Sequence, residues 1–447
     1  MKSTVARTMN LVTGMTLTGN HLGGWRHPQA WHPTAMSFAR YVELAQTAER
    51  GKFDMLFLAD GNGVRMDNQV LFEANAPADR PTAFEPVTLL SALAQHTTHI
   101  GLLATATTTY EEPYLLARKF ASLDHLSAGR ACWNIVTGSN PGDSVNFGRA
   151  EHVPRADRYA RAEEFVEVVK GLWDSWAPDA FIEDVASHRY LDGNLVHTLD
   201  HVGKYLSVQG PLNCARMPQG YPVLFLAGQS DPGRALAAKH ADCVFSVAGD
   251  LTIARGFYAD MKSRLDEFGR GRDSLRILPG ATVYVARSQA EADEFYQELQ
   301  ELISPGVGVA YLSKAIGVDL TDYPLDDPLP EITGDVVGVS GFRDNVAAIA
   351  AQENLTIRQT YQRILPSMGH AVFVGTPASV ADEMEEWFRT DACDGFNVGA
   401  PVQPAGLTAI VDLLIPELQR RGLFRTEYRG STLRERMGLD TPRNPYF

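Results

Sequence analysis

Cysteine is scarce in this chain: Cys132, Cys214, Cys243 and Cys393 are the only four in 447 residues, and no two share CxxC spacing. That distribution argues against a disulfide frame or a thiolate metal site and reads as buried thiols in a reducing compartment. Positive charge is also in short supply. Forty Lys and Arg face 54 Asp and Glu, for a net charge of −14 and an isoelectric point near 5.3. Nucleic acid is therefore a poor partner, because phosphate-backbone binders carry a basic stripe. No apolar run approaches the roughly 18 residues of a membrane span, and the N-terminus, with Lys2 and Arg7, lacks the apolar stretch of a secretion signal. A soluble, cytoplasmic protein with no membrane partner is the expectation. Catalytic signatures are missing too. There is no GxGxxG after a strand, no HExxH, no HxH closing the first strand, and no carboxylate pair with a neighbouring His at strand ends. These gaps leave no nicotinamide fingerprint, make a metal-dependent hydrolase a poor reading, and predict no metal.

What the chain does have is a rhythm. About eight times an apolar run ends in a Gly, Ser, Thr, Asn or Asp cluster and hands over to an amphipathic helix. Strands covered on both faces read as continuous apolar runs, so the pattern predicts an α/β fold, a (β/α)8 TIM barrel, with function at the strands' C-terminal ends. Strands are expected at Leu11–Leu17, Met55–Ala59, His99–Thr105, Ala131–Thr137, Pro222–Ala227, Cys243–Val247, Ile277–Val285 and Phe396–Gly399. The chain exceeds a typical barrel by roughly 150 to 200 residues. It reads as one domain over 1–447, with insertions at about 177–219 and 304–372 and a C-terminal extension from about 405 to 447. Helix 407–421 within that extension is expected outside the barrel count, as an assembly arm, and the 304–372 insertion as a lid or arm near the mouth.

The expected strand ends carry Asp60, Thr105, Thr107, Asn134, Thr137, Ser139, Gln229 and Ser230, neutral donors and acceptors with a single acid. Such a set suits a planar, hydrogen-bonding cofactor better than a metal. In the turn Gly228-Gln-Ser-Asp-Pro-Gly-Arg234, free N–H groups at a helix start could hold a phosphate, or the turn is simply a well-capped loop. His21, in a Gly-rich loop after the first strand, is the candidate catalytic imidazole, with an ordinary surface histidine as the alternative. Asp60 before Gly61 could equally be turn chemistry. Tyr159 is either a core residue or a phenol reaching a phosphate. His197 and His201, four apart, could share a metal on a helix face, but no third ligand is near in a recognisable motif.

Several ordered motifs carry a resemblance. They include Trp25-Arg26, Leu58-Ala-Asp60, Thr105-Ala-Thr-Thr-Thr-Tyr-Glu-Glu-Pro-Tyr114, Trp133-Asn-Ile-Val-Thr-Gly138, Asp157-Arg-Tyr-Ala-Arg-Ala-Glu-Glu-Phe165, Ala227-Gly-Gln-Ser-Asp-Pro-Gly-Arg234, Asp394-Gly-Phe-Asn397 and Pro416 to Tyr428. The chain resembles the bacterial-luciferase-like flavin monooxygenases, in the branch of the nitrilotriacetate, EDTA, dibenzothiophene-sulfone and long-chain alkane enzymes. The resemblance implies a barrel that takes FMN as FMNH2 from a separate NAD(P)H:flavin reductase and oxygenates a small organic substrate through a flavin peroxide. It places Asp60, Thr105 or Thr107, and Asn134 near the isoalloxazine, and Tyr159, Gly228 and Ser230 near the phosphate. Relatives often carry His four residues before that tyrosine. Here Arg155 stands instead, which keeps a phosphate partner and changes the charge. A homodimer or homotetramer is the expected assembly. The competing readings are a deazaflavin-dependent oxidoreductase and a non-catalytic flavin-binding protein on the same barrel.

Overall fold

In the computed structural model the described residues are 7–447 except 33–35, 65–71, 74–81, 139, 141, 331–339 and 366–368. Ser139, one of the expected mouth residues, therefore lies outside them. The apolar runs become strands β1 Asn10–Gly14, β2 Met55–Leu58, β3 Gly101–Thr107, β4 Ala131–Val136, β5 Val223–Ala227, β6 Cys243–Ser246, β7 Arg276–Val285, β8 Ala371–Gly375 and β9 Gly395–Gly399. All pair in parallel. Eight of them close in the ring β1-β2-β3-β4-β5-β6-β7-β9, and β8 is an additional strand on the outer half of β7, where Val285 pairs with Gly375. Helices cover the outer wall, as the TIM-barrel expectation requires.

Side chains alternate along each strand, so every second residue faces the lumen. Val12, Met55, Leu103, Cys132, Val223, Cys243 and Leu278 pack there as one buried cluster. The next inward positions towards the C-terminal ends are Phe57, Thr105, Asn134, Phe225, Phe245 and Gly280, where the apolar plug gives way to polar groups on β3 and β4. Both cysteines in the plug are buried and free, and burial pushes their thiols well up.

The C-terminal region departs from expectation in two ways. Residues 405–420 form a continuous run of helix after β9, which packs on the barrel's main core and completes the helical wall. It is thus the eighth barrel helix, and Pro377–Arg389 the seventh. Beyond it the chain crosses the foot of the barrel. Leu433, Met437 and Leu439 join the lumen plug from below, Arg434 pairs with Asp242 at 2.6 Å, and Arg425 pairs with the buried Asp54.

The 304–372 insertion opens with helix Pro305–Ile316, and its helices build a satellite core of Leu312, Ile316, Ile357, Tyr361 and Ile364 that also takes Leu22 from the loop after β1. The expected break in rhythm is real, but its end is strand β8. The 177–219 excursion forms two short antiparallel hairpins, Phe181–Asp184 with Arg189–Leu191 and His201–Val202 with Ser207–Val208. His197 and His201 consequently sit on no helix. His197 stacks on Tyr446 at 3.5 Å between centroids, and His201 bonds Glu164 at 3.0 Å, so the pair does not converge on a metal.

Candidate active site

At the polar level of the lumen, Thr105 and Asn134 are register partners on β3 and β4. The Thr105 hydroxyl donates to the Leu58 carbonyl at 2.8 Å, and the Asn134 amide donates to Thr105 Oγ1 at 3.0 Å. A hydroxyl has one proton. Because Thr105 spends it on Leu58, Asn134 must turn its NH2 towards Thr105, which leaves Asn134 Oδ1 as a buried acceptor without a partner among the described residues. An unsatisfied buried acceptor costs roughly 1–3 kcal/mol unless a donor arrives. Thr107, two residues further up β3, is buried on the same face and accepts from the Thr109 N–H at 3.2 Å. Asp60 lies exposed just past the end of β2. Thr137 follows β4 and offers its carbonyl to Thr109 at 2.7 Å and to Arg158 Nη1 at 3.5 Å.

The second group lies at the mouth of β5. Tyr159 Oη and Ser230 Oγ are 3.2 Å apart. Ser230 is the N-cap of helix Asp231–His240, yet its side chain makes no capping bond, so the helix start keeps its N–H groups for another acceptor. Gly228 and Gly233 press together: a Cβ on Gly228 would lie 2.9 Å from Gly233 Cα, and one on Gly233 would lie 3.3 Å from Tyr159 Oη. Any side chain at either position would fill this cradle. Gln229 contributes its carbonyl to Arg234 Nε at 2.9 Å.

Arg155 begins helix Arg155–Trp173 and is exposed, whereas Arg158 is half-buried beside the tyrosine. Its Nε is buried with no partner, and burial lowers its pKa against the opposing pull of Tyr159 and Tyr110. Among the described residues Arg158 Nε therefore has no hydrogen-bond partner. Its neighbour Tyr110 bonds His152 Nδ1 at 2.6 Å and stacks on Phe147 at 4.7 Å. Neither Arg158 nor His152 was anticipated. The signal for Arg158 was its place beside Tyr159 on the first turn of an otherwise amphipathic helix.

His21 is buried, and desolvation drives its pKa down to about 3. Its Nδ1 accepts the Gly23 N–H at 3.0 Å, and its Nε2 faces the Gln300 side-chain amide at 3.3 Å. With Nδ1 accepting, the ring proton belongs on Nε2, and Gln300 must turn its otherwise unpartnered amide oxygen, rather than its NH2, towards the ring to accept it. Nδ1 thus braces the loop after β1 internally, and Nε2 joins that loop to helix Gln289–Glu301.

Comparison with known proteins supplies the family. The family description "Luciferase-like monooxygenase" matches residues 13–392. The chain belongs to the luciferase-like monooxygenase family. It is 48% identical over 431 residues to the N-acetyl-S-(2-succino)cysteine monooxygenase of Bacillus subtilis (strain 168), covering 96% of each chain. It is 45% identical over 445 residues to nitrilotriacetate monooxygenase component A of Aminobacter aminovorans, covering 98% of each. Among solved structures it superposes on long-chain alkane monooxygenase with a TM-score of 0.83 at 34% identity, covering 97% of this chain and 96% of that one. For EDTA monooxygenase from Chelativorans sp. BNC1 the TM-score is 0.81 at 33% identity, covering 97% and 99%. This luciferase-like protein is a monooxygenase of the two-component, flavin-dependent kind.

Proposed function

We propose that the protein receives FMNH2 from a separate NAD(P)H:flavin reductase and uses it with dioxygen to oxygenate a small organic molecule bearing nitrogen or sulfur. The observation that carries this reading is Asn134 Oδ1, a buried acceptor whose orientation Thr105 fixes and which no donor among the described residues satisfies. The imide N–H of an isoalloxazine is the donor it fits. In this reading Thr105, Thr107, Thr137 and Asp60 complete the rim around the ring. Ser230, Gln229, Gly228, Tyr159 and Arg158 hold the phosphate, with exposed Arg155 adding long-range positive charge. Reduced flavin, when bound, supplies the oxygen chemistry. The chain's own work is to hold the ring flat over the plug of Phe57, Phe225 and Phe245, to exclude water, and to present the substrate. His21, neutral and locked to Gln300, keeps the loop after β1 closed over the mouth, and its Nε2 proton is the one it can offer when that contact opens.

The substrates named for the first two relatives above carry several carboxylates, and such molecules are the first to try. The decisive experiment mixes the anaerobic FMNH2 complex with oxygenated buffer and follows label from 18O2 into nitrilotriacetate and N-acetyl-S-(2-succino)cysteine. Oxygen consumption that depends on FMNH2, with one labelled atom in product, is expected. A protein that binds a deazaflavin in preference to FMN, or binds FMN without accelerating its reoxidation, refutes the reading.

A further inference from the structure

The lumen wall across from Thr105 holds another buried polar atom that has no partner among the described residues, a ring nitrogen. β7 lies four places from β3 around the eight-strand ring, so the two face each other across the barrel. Gly280 is an inward position of β7, two residues above Leu278, and His370 occupies the space its missing side chain leaves: a Cβ there would lie 2.7 Å from His370 Nδ1. The imidazole also packs edge-on to Phe245 of β6, 5.1 Å between centroids. Asn397 of β9, the register partner of Gly280, stands on the same wall. His370 Nδ1 is buried and has no hydrogen-bond partner among the described residues. Burial takes its pKa down to about 4, so the ring is neutral at physiological pH. His370 immediately precedes β8, at the end of the insertion, so the extra strand on β7 fixes its position.

We propose that His370 is a specificity-determining residue of the reaction chamber, its Nδ1 hydrogen-bonding a polar atom of the substrate held between it and the flavin ring. The proposal rests on the flavin reading above. An uncharged imidazole supplies one directional bond and no charge, so it selects by geometry. Gly280 is the enabling residue, because any side chain there displaces the ring.

The test uses the full-length protein and three variants, His370→Phe, His370→Asn and Gly280→Ala. Carbethoxylation of His370 by diethyl pyrocarbonate, mapped on peptides, should slow at least about fivefold in saturating FMN, with exposed His188 as the unprotected control. His370→Phe should bind FMN within about twofold of the natural protein. With nitrilotriacetate, N-acetyl-S-(2-succino)cysteine and EDTA as probes, product formed per FMNH2 oxidised should fall at least tenfold in His370→Phe and Gly280→Ala and recover partly in His370→Asn. Equal labelling with and without FMN, unchanged coupling in His370→Phe, or a loss of FMN affinity matching that of Asn134→Ala each overturns the proposal. Failure of the natural protein to bind FMN at all overturns the flavin reading instead.

Discussion

Thr105 dictates which way Asn134 points. Its single hydroxyl proton goes to the Leu58 carbonyl, so the Asn134 amide must donate to it and leave Oδ1 facing the lumen. Asn134→Ala should therefore weaken FMN binding by about tenfold, the worth of one buried hydrogen bond of roughly 1.4 kcal/mol. Thr105→Val frees the amide to rotate and should cost less, about threefold. Flavin fluorescence titration measures both, and an unchanged Kd in Asn134→Ala would remove the central contact of the proposed site.

The cradle at β5 should distinguish FMN from riboflavin. Tyr159→Phe and Ser230→Ala each remove one hydroxyl of the 3.2 Å pair. Each should lower FMN affinity about three- to tenfold and leave riboflavin affinity as it was. Parallel titrations with the two flavins separate a phosphate contact from a general loss of packing.

The foot of the barrel should be a stability element with no part in flavin binding. Leu433 is fully buried in the lumen plug, so Leu433→Ala should cost about 2–5 kcal/mol. Arg434→Ala removes the partner of Asp242 at 2.6 Å and leaves that partly exposed carboxylate with the Leu224 N–H, so it should cost about 1–3 kcal/mol. Urea unfolding gives the losses, and the surviving folded fraction should bind FMN with unchanged affinity.

Acid should destabilise the protein well above the carboxylate range. Burial lowers both His21 and His240 to about 3, with Lys170 adding to the effect on His240. Unfolded histidine titrates near about 6.5. Between these values the unfolded chain holds the extra protons, so stability is complete above pH 6.5 and falls as pH drops towards 3. The slope is about 1.4 kcal/mol per pH unit for each group. The urea midpoint should decline from pH 7 to pH 5, less steeply in His240→Asn, and a flat profile would mean that the imidazoles are charged in the folded protein.

Thiol chemistry gives an independent check on the plug. Cys132, Cys243 and Cys393 are buried with thiols pushed up by desolvation, and Cys214 is half-buried. Ellman's reagent should titrate one thiol at most in the native protein and four after unfolding.

The sequence by itself determined the barrel and the height of its site. Continuous apolar runs ending in small polar residues specify strands covered on both faces, and a period of two puts Leu103, Thr105 and Thr107 on one side of β3 whatever surrounds them. Those are local constraints, set within a few residues. The ordered motifs carried the family for the same reason. Tertiary structure alone decided what meets what. Parallel pairing between strands 29 residues apart in sequence placed Asn134 beside Thr105, and barrel closure set β7 across from β3. Residues 371–375, the strand that follows His370, are an apolar run ending in Gly, but they straddle the expected end of the insertion at 372, and nothing local places His370 over Gly280. The C-terminal arm was misread for a related reason. Its apolar residues resemble an exposed association face until the open foot of the barrel is there to receive them, and burial is a property of the partner surface as much as of the segment.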